Sequence, residues 1–436
     1  MTMATQAATN NRRMLLSRLL EARAETDELF RIVRPEAMYD RPIAERHRIV
    51  FYVGHLEAFD WNLLSVPCGL ASLHPEFDRL FAFGIDPVGG GLPADQPHDW
   101  PRLQIVNEYR DRIRQALDHA IEVAENEFEL RSNAQGGALC HSPGSFGQLL
   151  DVAIEHRLMH AETLAYMFHQ LPFERKTGAA GARVLQGGPF TPEGVRVAAG
   201  RATLGLSRDS RIFGWDNEFE AHSTDIQEFT IDKYKVTNRQ FLRFLEEGGY
   251  NDRSLWTEAD WQWKAAQGIS HPVFWVRRGN AWAYLSMFDE IPLPLDWPVY
   301  TSHAEASAYA RWAGKCLPTE AQWHRAAHGA QDGQYPPSAA WDPAPVNASA
   351  LGVSAFGVAG LVANGWEWTA TEFAPFPGFR PNASYPGYSA PFFDARHYVL
   401  KGGSVRTAAC MLRPSFRNWF QPHYQYVYAG FRCAHD

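Results

Sequence analysis

Cysteine is scarce and scattered: the five residues Cys68, Cys140, Cys316, Cys410 and Cys433 are odd in number and contain no Cys-x-x-Cys spacing. That argues against a disulfide framework and makes a reduced cytoplasm the expected compartment. No uninterrupted apolar run approaches a membrane span. Arg12 and Arg13 precede a short apolar patch near the N-terminus, but Arg18, Glu21, Arg23 and Glu25 interrupt it too soon for a signal peptide. Long basic runs are missing too, and the net charge is -8 with a pI near 6.1. Neither nucleic acid nor a membrane is therefore an expected partner. Internal repeats and low-complexity tracts are absent. So is a phosphate-cradling glycine loop, because Lys401-Gly402-Gly403-Ser404 lacks the required spacing and reads as a turn.

What is present is a large apolar content. Hydrophobic residues make up 45% of the chain, with 15 Trp, 16 Tyr and 27 Phe, enough to line sizeable pockets. At 436 residues, and about 150 per domain as a soft guide, two or three domains are expected. Residues 1–175 read as four helical segments: about 11–33, Pro42–Leu64 with Pro42 suited to a first turn, Arg102–Leu130, and Ser145–Leu171. A connector rich in Gly, Pro and Asp separates the second from the third. Four long segments joined by turns predict a four-helix bundle. Residues 176–436 are broken by Gly, Pro and Trp, with strand-like runs at 228–237, 397–405 and 428–434. Helices are expected at Thr237–Glu247, His303–Ala313 and Thr319–Ala327, the last with Thr319 and Gln322 at capping-box spacing. This pattern predicts a loop-rich α+β domain.

The segment Ser145–Leu171 organises the bundle. Its inward face is Leu149, Val152, His156, His160, Leu164, Met167 and Leu171, which places two imidazoles one turn apart in an apolar stripe. Two readings stand: core histidines bonded to backbone carbonyls, or ligands of one divalent metal. Glu162 completes a His-x3-His-x-Glu pattern, placed to orient a ligand ring from behind or to sit near a substrate. A catalytic metal usually takes three protein ligands and keeps an open position. His47, His55, His98, His119 and His141 are the further candidates. His55 is favoured because it lies mid-helix among Tyr52, Phe59 and Asn62, whereas His47, between Arg46 and Arg48, reads as solvated. Zinc, Fe(II), copper and nickel all suit a three-histidine face.

The motifs GHLEAFDWN around His55, His156-x3-His160-x-Glu162, GWDNEFEAH at 214–222, IDKYKVTNRQFLRFL, LPTEAQWHRAA, GWEWTATEF, LKGGS, RPSFRNWFQPHY and YAGFR occur in this order. Together they resemble, over nearly the whole chain, the nonheme iron sulfoxide synthases of ergothioneine biosynthesis and their relative selenoneine synthase. The resemblance implies a DinB-like four-helix bundle over 1–175 and a C-type-lectin-like domain of the formylglycine-generating-enzyme type over 176–436. It implies Fe(II) on His55, His156 and His160, O2 as co-substrate, hercynine as substrate, and a cleft between the domains where sulfur or selenium joins the imidazole. It assigns Asn418 to hercynine's carboxylate or its water, and Trp419 and Phe420 to the trimethylammonium by cation–π attraction. Trp366, Trp368, Asn217 and Glu218 read as structural. Phe420 stands where synthases using γ-glutamylcysteine carry Asp, so that donor is not expected. Tyr385 and Tyr388 are the candidates for the catalytic acid by position. A selenosugar donor is favoured, with free cysteine as the alternative. A copper-dependent formylglycine-generating oxidase would need a close cysteine pair, which Cys316, Cys410 and Cys433 do not form in sequence. A zinc-dependent DinB-type thiol transferase would leave the C-terminal domain without a task, and a non-catalytic binding module would hold no metal.

Overall fold

A computed structural model describes residues 3–82, 92–132, 145–178, 187–188, 190–329, 341–348 and 352–436, so Cys140 and His141 lie outside the described residues. The chain divides into two compact units, Met1–Gly178 with Arg211–Phe213, and Ala179–Ser210 with Gly214–Asp436. In the first unit the helices are α1 (Met3–Ile32), α2 (Ile49–Leu64), the short α3 (Pro75–Leu80), α4 (Leu103–Ser132) and α5 (Phe146–His169). Helix α1 packs along α5, and α2 lies against both α4 and α5, which closes a four-helix bundle.

Helix α5 begins where Ser145 accepts a hydrogen bond from the Gln148 backbone N–H at 3.3 Å. It was expected to bury one stripe and instead buries almost every face, with Asp151, Glu155 and Arg157 as enclosed as Val152 and Leu164. Charges tolerate this only when paired. Arg18 meets Asp151 at 3.2 Å. Arg157 is fully buried and donates to Glu57 at 3.0 Å, Asp60 at 2.7 Å and the Leu56 carbonyl at 3.0 Å. Pro42 does not open a helix; α2 starts at Ile49. The preceding stretch is held irregular by Arg48, which donates to the Tyr39 carbonyl at 2.7 Å and to Asp95 at 3.0 Å. Arg41 and the Trp100 indole also bond Asp95, so the connector is anchored after residues 83–91 as well as through α3 before them.

In the second unit the strands are β1 (Gly194–Val197), β2 (Gly200–Leu204), β3 (His222–Ile226), β4 (Phe229–Asp232), β5 (Trp275–Arg278), β6 (Ala281–Leu285) and β7 (Glu290–Pro292). They continue with β8 (Trp366–Glu372), β9 (Tyr398–Lys401), β10 (Asn418–Phe420), β11 (Ala429–Gly430) and β12 (Ala434–His435). Among the described residues these form four small sheets, in orders β1-β4-β12, β10-β9-β8-β11, β2-β3 and β5-β6-β7. The helices are α6 (Asn238–Glu246), α7 (Glu258–Gln267), α8 (His303–Trp312) and α9 (Glu320–Ala326). Capping boxes start α6 at Thr237, α8 at Ser302 and α9 at Thr319, as the spacing predicts for Thr319. Helix α7 was not expected. Thr257 caps it and Gly268, at φ 65°, ends it in the left-handed conformation that glycine adopts freely. This unit is the expected loop-rich α+β, C-type-lectin-like domain.

Short strands leave little regular hydrogen bonding, and buried ion pairs take up part of the bracing. Arg432 donates to Glu367 at 2.7 Å, and Lys235 meets the same carboxylate at 3.0 Å. Arg417 pairs with Glu320 at 3.0 Å, and Arg413 with Glu218 at 2.9 Å. Trp366 and Trp368 are buried beside these braces, the structural role expected of them.

Candidate metal centre

The bundle brings three imidazoles together. His55 comes from α2, His156 and His160 from α5, and one nitrogen from each lies within 4.8 Å of the others. Among the described residues this is the only such convergence of three His, Cys, Asp or Glu side chains. His55 Nδ1 lies 2.7 Å from the Phe81 carbonyl, which can only accept, so this nitrogen carries the proton and Nε2 presents its lone pair. That lone pair faces His160 Nε2 at 3.2 Å. Metal–nitrogen bonds of about 2.1 Å set neighbouring ligand atoms roughly 3.0–3.4 Å apart. The pair therefore fits one cation. His156 is stacked on Phe59 with ring centres 3.4 Å apart, and His55 on Phe51 at 4.9 Å, which fixes both rings.

All three rings are at most 4% exposed. Burial pulls His55 down to about 4, against the Phe81 hydrogen bond and with help from His47 and Arg157. Burial also takes His156 and His160 well below the ordinary histidine value, with the neighbouring imidazoles and Arg157 acting in the same direction. Neutral imidazoles are the form that binds metals, so the cluster is ready for a cation without first losing protons.

Of the other candidates, Glu162 is buried on α5, two residues beyond His160. His47 is not solvated as expected; it is half-buried, packed 4.2 Å from Phe51 and edge-on to Trp100, and it stays outside the cluster. His98 and His119 are exposed. Two contributors were missed. Phe81 supplies the orienting carbonyl, and Gly54 makes room for it, since a Cβ there would lie 2.6 Å from the Phe81 ring. A glycine inside an apolar helix beside a histidine was the available signal.

In the second unit Asn418, Trp419 and Phe420 form β10 and pair with β9. The Asn418 side-chain oxygen accepts from the Trp419 N–H at 2.9 Å. Trp419 stacks on Phe373 at 4.3 Å and meets Tyr388 edge-on at 5.2 Å, while Phe420 stacks on Tyr424 at 5.0 Å. Tyr388 is itself stacked on Trp215 at 3.9 Å, with Tyr385 5.9 Å from it. The loop carrying both tyrosines is pinned by Asp216, which accepts from Ser389 Oγ at 2.6 Å and from the Asn382 N–H at 3.1 Å. One aromatic cluster thus joins Tyr388 to the Asn-Trp-Phe segment, a proximity that sequence order did not reveal. Glu218 is buried on Arg413 and Ser415, the structural role expected of it. The cysteine reading needs one correction. Cys316 bridges to Ala434, next to Cys433, so the ladder brings these two segments together. Both thiols are free, and Cys433 is fully buried, with burial pushing its thiol up.

Residues 182–436 match the sulfatase-modifying factor enzyme 1-like domain, and the chain belongs to that family. It is 35% identical over 316 residues to hercynine oxygenase of Mycolicibacterium thermoresistibile, covering 65% of this chain and 68% of that one. The hercynine oxygenase of Mycolicibacterium smegmatis is 35% identical over 320 residues, covering 65% and 71%. Ergothioneine biosynthesis protein 1 of Neurospora crassa is 24% identical over 500 residues, covering 92% of this chain and 55% of that one. This kinship makes the chain an enzyme, an oxidoreductase.

Proposed function

We propose that the chain is an O2-dependent nonheme Fe(II) enzyme that forms a carbon–chalcogen bond on the imidazole of hercynine, with a selenosugar as donor and free cysteine as the alternative. The observation that carries this reading is the convergence of three buried, uncharged imidazoles in a chain related to hercynine oxygenases. His55, His156 and His160 would hold the iron, and the bundle would be of the DinB type. When bound, iron supplies redox chemistry with O2 and an electrophilic centre for a substrate imidazole. The remaining work falls to side chains. Asn418 would hold the carboxylate of hercynine, and Trp419 and Phe420 its trimethylammonium. Glu162 would sit by the substrate or behind a ligand ring. Tyr388, or Tyr385, would deliver a proton.

The test is direct. Protein purified without oxygen and loaded with Fe(II) is offered hercynine, O2 and either a selenosugar, cysteine or γ-glutamylcysteine, and products are weighed by mass spectrometry. A selenium-bearing imidazole is the expected product, formed by wild type and lost in His156→Ala and His160→Ala together with bound iron. Consumption of no donor would remove the reading. Turnover of a thiol without O2 would favour a zinc-dependent thiol transferase instead.

A further inference from the structure

A cavity lined by residues of the C-terminal unit has a volume of about 400 Å³. It opens between β2, α9 and the segment that follows β9. Its wall carries Arg201, His324, Arg325, His328, Lys401 and Arg413 and, among the described residues, no carboxylate. Such one-sided lining is uncommon unless charge balance is met behind the wall or by a ligand. Here the balance is partial. Lys401 is held by the Pro414 and Phe416 carbonyls at 2.8 and 2.6 Å, with Glu320 at 3.8 Å. Arg413 is neutralised by Glu218. Arg325, by contrast, donates to the carbonyls of Ala198 and Ala199. Arg201 pairs with Asp225 at 3.8 Å, with both side chains exposed to solvent. Among the described residues, then, neither Arg325 nor Arg201 has a buried counter-charge, and both reach solvent.

One wall residue carries a buried polar atom that lacks a partner. His324 Nε2 is buried without a hydrogen-bond partner among the described residues. A buried polar atom of that kind calls for water or a ligand. Burial, and then the charges of Lys401 and Arg417, keep the ring uncharged, so the field at this nitrogen is positive. Trp366 and Phe416 give the same cavity an apolar side.

We propose that this cavity is a binding site for a small anion, a phosphate or carboxylate carried on a compact organic body, held by His324, Arg201 and Arg325. The volume suits a small metabolite. The site depends on neither the histidine cluster nor hercynine.

Isothermal titration of the full chain with inorganic phosphate and with succinate tests it. Saturable binding of at least one probe is expected, weakened about tenfold or more in His324→Gln and about threefold in Arg201→Ala, with thermal stability unchanged. Binding confined to phosphate or to succinate assigns the anion class. Should His324→Gln fail to fold, Arg201→Ala decides alone, because the Arg201 side chain is exposed to solvent. Absence of saturable binding by either probe, or affinities unchanged in the folded variants, overturns the assignment.

Discussion

Replacing Gly54 by alanine separates helix preference from metal-site geometry. In an unconstrained helix interior the change would stabilise by about 0.8–1 kcal/mol. Here the new Cβ would meet three atoms of the Phe81 ring at 2.6 Å, roughly 1 Å inside an ordinary carbon–carbon contact. The ring has little room to retreat. Phe81 is fully buried, with Phe77 at 5.5 Å and Trp100 and Tyr109 each at 6.1 Å. Overpacking of this kind costs about 1–3 kcal/mol. Displacing Phe81 also strains the 2.7 Å bond from His55 Nδ1 to its carbonyl, worth about 1 kcal/mol. The net expectation is a loss of about 1–2 kcal/mol in urea unfolding. Fe(II) affinity should fall roughly 10–100-fold, the usual effect of removing the partner that orients a ligand histidine. Anaerobic competition against a chelator measures the second quantity. A Gly54→Ala protein that is more stable than wild type and holds iron as tightly would refute the claim that Phe81 sets the His55 tautomer.

Arg157→Met should destabilise the bundle by about 3–5 kcal/mol in urea unfolding, because Glu57 and Asp60 would remain buried without their main cation; a loss below about 1 kcal/mol would show that the pair is not held by this arginine. For Glu57, burial works to raise the carboxyl, but Arg157, Arg114 and Arg23 outweigh it and hold the value down at about 2. A depressed value stabilises above the ordinary 4.5 and is lost as pH falls through about 2, with buried Asp60, raised by its own desolvation, acting the opposite way. Urea midpoints measured from pH 7 to 2 should therefore fall less steeply in Glu57→Gln than in wild type, and parallel curves would contradict the sign. Tyr388→Phe should cut kcat about tenfold or more with little change in hercynine affinity if this residue supplies the proton. Tyr385→Phe, one ring further from Trp419, should do less, and equal rates for wild type and Tyr388→Phe would remove Tyr388 from the chemistry.

Local periodicity made the centre of the bundle legible. Residues four apart on a helix share a face whatever surrounds them, so His156 and His160 were read correctly as neighbours. His55 joined them because it lies mid-helix among Tyr52, Phe59 and Asn62, placed to project inward from a second helix. What periodicity misses is what depends on distant chain. Helix α7 is set by its two ends, where Thr257 caps it and Gly268 terminates it. Pro42 suited a helix start until Arg48 found Asp95, 47 residues later.

The charged residues of the C-terminal motifs teach a sharper lesson. Glu367 pairs with Arg432 across 65 residues, Glu320 with Arg417 across 97, and Glu218 with Arg413 across 195. Each of these carboxylates is buried and occupied by its arginine, a pairing that no local sequence pattern reveals. Breaking one such pair would strand a charge in the core. A match over residues 182–436 therefore reports mainly on how the domain is braced. The three imidazoles of the bundle take no part in this bracing, and they lie outside the residues that match the family.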